Sequence, residues 1–334
     1  MLHIPGRARV LALLGALMAA PTTAAMGQQP PVGAMFESDK ARDVSRADSF
    51  LPVELPPGPA AKTPLRVYLS AGDLERAFDR AEFRPAAVIL PTNTDLSLTA
   101  AQPATQRILW SRVQKYPDVL KDLEAQVTAR RGQPVSNANG ESGVLRIGVD
   151  TFVAELPRGN APPPDANLPK AACLIATEFA EGGAVDRREL FAQNRVRRGV
   201  ASCLAALDAA GAQSVVLPQM GAASSEAQNA DRMYEGQRTL MECRLLNSTA
   251  GIALGIHDFA ATRRHLREIG VVQWDRELDL MFKVPPDSRA ARSAQAAYRT
   301  YAEQVREAFK RGLAGEQTTS AHVKGSCNAI LDAQ

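Results

Sequence analysis

Apolar residues along the chain fall into two rhythms: short unbroken blocks, and longer stretches in which they return every three or four positions. Arg198–Ser225 carries one of each, joined by a turn. Val200, Cys203, Leu204 and Leu207 recur at helical spacing, so the spacing predicts a helix with one buried face. Gly211 follows the last periodic residue, where a left-handed cap calls for a residue without a Cβ. Ser214–Leu217 is a β-branched run that predicts a buried, parallel strand. The loop Pro218–Ser225 then leaves the carboxyl end of that strand, which is where open α/β sheets take their ligands.

The same reading extends along the chain. Residues 28–63 are rich in Pro, Gly, Ala and charge without periodicity, and predict a loosely laid linker. Strands are expected at Leu65–Ser70, Ala86–Leu90, Val144–Ala154 (or a hairpin there), Ala171–Ala176 and Gly251–Ile256. Helices are expected at Leu74–Ala81, at Thr105–Arg130 with an interruption at Pro117, and at Glu189–Ala210, Asp231–Leu246 and Thr262–Ile269. Glu277–Val284 is apolar enough for a last strand or helix. After Pro285-Pro286, Ser288–Leu313 carries an amphipathic stripe (Ala294, Ala297, Tyr301, Val305, Ala308, Phe309), which docks onto the core or onto a protein partner. Alternating strands and helices predict an α/β fold, a three-layer α/β/α sandwich with a mixed, largely parallel sheet over 64–284. A C-terminal helix and tail occupy 285–334.

Composition narrows the function. The chain has 334 residues, 45% of them hydrophobic, enough for a sizeable core. Its 39 basic and 36 acidic residues leave a formal charge of +3, and 5% are aromatic. No nucleic-acid partner is expected from that balance, nor a base-stacking surface. Arg7 and Arg9 precede the apolar run Val10–Ala20, and small residues follow, the pattern of a secretory signal over 1–27 with cleavage after Ala25 or Gly27. No later stretch is apolar enough to span a membrane, so a periplasmic or secreted protein is expected. Cys173, Cys203, Cys243 and Cys327 then invite disulfides, with 173–203 and 243–327 the favoured pairing and buried free thiols the alternative.

Three segments in order carry a resemblance. Gly72-Asp73-Leu74 follows the first strand, Ala87–Leu96 (AVILPTNTDL) spans the second, and Ser214–Ala223 (SVVLPQMGAA) closes the series. Together they resemble the macro domain, an ADP-ribose-binding α/β module. The resemblance implies that Asp73 accepts from the adenine amino group and that Asn93 faces the distal ribose. It also implies that the backbone of Pro218, Met220, Gly221, Ala222 and Ala223 approaches the diphosphate of ADP-ribose or a related nucleotide. The sequence departs from the family's pattern at Leu90 and Pro91, in the glycine-free stretch Ser97–Pro103, and at Ala223, all of which weigh against an ADP-ribosyl hydrolase.

Each of these residues has a plainer role beside the sharp one. Asp73 can cap the helix that follows it, Asn93 can stabilise its own turn, and Gly221–Ser225 can open a helix. His257-Asp258 is an imidazole–carboxylate pair without an evident nucleophile, and a bland role is expected for it. No residue is assigned to catalysis. No metal-ligand spacing is present, and no cofactor is expected. A protein that keeps the fold for interaction, without a nucleotide site, is the competing reading.

Overall fold

Every second residue of the central strands enters one of two apolar layers. Along Ala87–Leu90, Ala87 and Ile89 join one buried cluster while Val88 and Leu90 join the other; Ala171–Ala176 divides in the same way. The computed structural model describes residues 51–71, 86–96, 109, 112–136, 142–146, 150–156, 168–178, 193–220, 235–273 and 303–322.

The strands are β1 (Leu51–Leu55), β2 (Leu65–Ala71), β3 (Ala87–Asn93), β4 (Val135–Ser136), β5 (Ser142–Gly143), β6 (Thr151–Glu155), β7 (Ala171–Glu178), β8 (Ser214–Pro218) and β9 (Glu268–Gln273). The helices are α1 (Pro117–Arg131), α2 (Gln193–Ala209), α3 (Glu235–Ala260) and α4 (303–313). Among the described residues seven strands form one sheet in the order β1-β2-β9-β8-β3-β7-β6, and β4 and β5 pair separately. The five middle strands are parallel, and β1 and β6 run antiparallel at the two edges. Helices α2, α3 and α4 cover one face of the sheet, and α1 covers the other. This is the α/β/α sandwich with a mixed, largely parallel sheet that the pattern predicts.

α2 ends as its sequence dictates. Gly211 has φ +82°, its N–H donates to Asp208 O, and the Ala212 N–H reaches back to Leu207 O, a Schellman cap. Cys203, fully buried on the inner face of α2, is bonded to Cys173 of β7 across a Cα–Cα distance of 5.7 Å. Of the expected second pair, Cys327 lies outside the described residues, as does the side chain of Cys243.

Three expectations need correction. Gly251–Ile256 is the middle of α3, not a strand. Gly251 and Gly255 are four residues apart, and a Cβ on either would lie 2.7 Å from a carbonyl oxygen of α2, that of Gln193 or Arg197. The glycines therefore serve close helix–helix approach rather than a strand. Thr262–Ile269 is a turn leading into β9, not a helix. The N–H groups of Arg264, His265 and Leu266 all donate to the buried Asp208 carboxylate at 2.7–2.8 Å, which holds the turn open. Arg263, also buried, spans the Leu266 and Thr63 carbonyls, and burial lowers the pKa of its guanidinium. Finally, Leu51–Leu55, placed within the linker, is the edge strand β1, with Val53 and Leu55 half-buried against the core.

At the other edge, the side-chain amide of Gln126 on α1 donates to Glu155 O at 2.7 Å and accepts from Glu155 N at 3.0 Å, so it occupies part of the free side of β6. In α4, Val305, Ala308, Phe309 and Leu313 are buried in the core. Over 303–313, then, the predicted amphipathic stripe lies against its own domain. Glu277–Val284 and 288–302 lie outside the described residues.

Candidate functional site

Connections from β3 run toward β7 and β6, whereas those from β8 run the other way to β9, although β3 and β8 are neighbours. The strand order therefore reverses between them, and a crevice outside the carboxyl ends at such a switch point is the usual ligand position in open α/β sheets. The β3–β8 ladder covers only Ala87↔Val215 and Val88↔Val216, so Leu90–Asn93 and Leu217–Pro218 continue beyond it. Pro91 and Pro218 lack the N–H that a longer ladder would use.

Asn93 ends β3. Its Oδ1 accepts the Asp95 N–H at 3.2 Å, and its carbonyl accepts the Leu96 N–H at 3.3 Å. Leu96 is fully buried with φ +52°, a left-handed conformation that costs a branched residue on the order of 1–2 kcal/mol. Neighbours hold it there. Thr94 O accepts from the N–H groups of Val144 and Leu145, and the Arg131 guanidinium donates to the carbonyls of Asp95 and Leu96. The Thr92 hydroxyl, buried one residue before Asn93, has no hydrogen-bond partner among the described residues. A strained residue and an orphaned hydroxyl thus mark the same strand end.

Beyond β8, Gln219 extends the pairing with its N–H on Val272 O at 2.8 Å, and its side-chain amide donates to Leu245 O and to Thr249 Oγ1. Met220 is fully buried, and its N–H donates to Ser248 Oγ at 3.1 Å. Of the sequence-assigned residues, the fold thus brings Asn93, Pro218 and Met220 to the ends of adjacent strands. Asp73, Gly221, Ala222 and Ala223 lie outside the described residues. The Met220 amide is held inward by Ser248, and the Asn93 Oδ1 is engaged within its own turn. Sequence reasoning missed Ser248 and Thr249; the signal available was the polar triplet Asn247-Ser248-Thr249 inside an apolar run.

The imidazole–carboxylate pair takes no part. His257 and Asp258 stand at the end of α3, not after a strand. His257 Nδ1 donates to Leu313 O at 2.9 Å, and Asp258 forms a two-point ion pair with Arg197 of α2. Among the described residues no group of His, Cys, Asp and Glu could hold a metal ion. Nor is any helix among them long and apolar enough to cross a membrane.

No family model matches the chain, and no curated protein does. Solved structures do resemble it in chain path. The macrodomain of Oceanobacillus iheyensis with ADP is 9% identical with a TM-score of 0.38, over 74% of this chain and 96% of that one. The macrodomain of Thermus aquaticus DarG is 16% identical with a TM-score of 0.32, over 63% and 97%. A tomato leucine aminopeptidase is 10% identical with a TM-score of 0.33, over 75% of this chain and 38% of that one. At such identities and scores no function passes from these proteins to this one.

Proposed function

We propose that the chain is an exported binding module for ADP-ribose or a related nucleoside diphosphate, with its mouth at the carboxyl ends of β3 and β8. One observation carries the reading: two motif segments far apart in sequence, which carry Asn93 and Pro218 with Met220, lie on neighbouring strands where the strand order reverses. The adenine-facing role of Asp73 and the diphosphate-facing role of Gly221–Ala223 belong to the proposal and rest on the sequence resemblance. Export rests on the signal-like residues 1–27, and the Cys173–Cys203 disulfide fits an oxidising compartment.

A second reading draws on the inward-turned Met220 amide: the fold is kept as an interaction module without a nucleotide site. Calorimetric titration of residues 28–334 with ADP-ribose separates the two, with Asp73→Ala as control. Binding that disappears in the variant supports the nucleotide site. Flat heats from folded protein leave the interaction module.

A further inference from the structure

α3 is apolar where it crosses the sheet, with Ile252, Ala253 and Ile256 in the core, yet one turn earlier it carries three buried polar residues in succession. Asn247 reaches the start of α2, and Ser248 and Thr249 both reach the corner after β8. Asn247 Oδ1 accepts from the Gln193 side chain, at the first residue of α2. Ser248 Oγ accepts the Met220 N–H, and Thr249 Oγ1 accepts the Gln219 side-chain amide while donating to Leu245 O. The Gln193 amide also clasps Thr318, donating to its carbonyl and accepting its N–H. One turn of α3 thereby ties together the start of α2, the corner after β8 and the segment beyond α4.

Apolar side chains would fill this space without directional bonds. Directional bonds of this kind instead favour one arrangement, because a slip that breaks them leaves further polar groups unpaired in the core. The geometry points to Ser248 and Thr249 as positioning residues that fix the Gln219–Met220 corner, and so the point at which the chain enters residue 221, before any ligand arrives. This inference rests on the proposed nucleotide site. It adds that the mouth is preorganised from beneath, with the Met220 N–H reserved for the scaffold rather than the ligand.

Ser248→Ala tests it, with Ser248→Thr as the conservative control. The readouts are residue-resolved amide hydrogen exchange of the free protein and calorimetric titration with ADP-ribose. The expected result is Met220 exchange faster by about tenfold or more, protection retained in β9 and the rest of α3, and ADP-ribose bound several-fold more weakly. Ser248→Thr restores both. Unchanged Met220 exchange overturns the inference. So does acceleration spread evenly through α3 and β9, or unchanged affinity beside a loosened Met220. If the wild-type protein gives no heat with ADP-ribose, the nucleotide reading falls, and the exchange measurement alone decides whether Ser248 fixes the corner.

Discussion

A Cβ built on Gly251 would lie 2.7 Å from the carbonyl oxygen of Gln193 and 2.8 Å from the Val196 Cβ, so the two helices touch through backbone at this position. Gly251→Ala must push α3 off α2. Overpacking of this kind costs roughly 1–3 kcal/mol, which denaturant unfolding of the variant reads directly. The shift in midpoint should come without a change in slope.

The Cys173–Cys203 bond closes a loop of 30 residues between the sheet and α2. Replacing both cysteines by alanine, or unfolding in the presence of reductant, is expected to cost about 2–4 kcal/mol. Equal stability with and without reductant would show that the bond adds nothing.

Asn93→Asp separates the two roles of its side chain. A carboxylate still accepts the Asp95 N–H, so the turn should form, with a lower melting temperature because the new charge stands at a buried position. The added negative charge stands at the proposed mouth, and affinity for ADP-ribose should fall by tenfold or more, on the order of the 1.4 kcal/mol that a like-charge approach readily supplies. Titration of this variant beside the wild type checks it.

Asp150 gives a pH dependence. Hydrogen bonds from the Arg146 side chain, and then its backbone N–H, hold the Asp150 carboxyl below its ordinary range against the opposing effect of burial. The folded state therefore favours the ionised form. Its contribution is present above the unfolded carboxyl's pKa, about 4, and is lost as pH falls through the lower folded value. In Asp150→Asn the deficit measured by thermal unfolding at neutral pH should shrink on acidification, and salt should shrink it further because Arg146 is exposed.

Much of the sheet was legible because its strands are buried on both faces. Ala87–Leu90, Ala171–Ala176 and Ser214–Leu217 read as apolar blocks, and the stripe from Val200 to Leu207 named the inner face of α2. Gly251–Ile256 misled because a short apolar run does not announce its period; the four-residue spacing of its glycines was the better clue. β9 was hidden behind a basic turn whose shape depends on Asp208, a residue more than fifty positions earlier. β1 was hidden among prolines, with only the alternation of Leu51, Val53 and Leu55 to mark it. At the site, strand-end residues could be named from motifs. Whether an amide points outward or down onto Ser248 is decided by a helix that the motifs do not contain.

The Gln126 amide on Glu155 has a consequence at the scale of many molecules. A sheet edge with open backbone groups is a template, and a neighbouring chain can continue it indefinitely. Here a side chain occupies the donor and acceptor of Glu155 that a visiting strand would need. A visiting strand cannot pair at Glu155 without displacing Gln126, so strand addition along this end of β6 is disfavoured when the protein is crowded to high concentration.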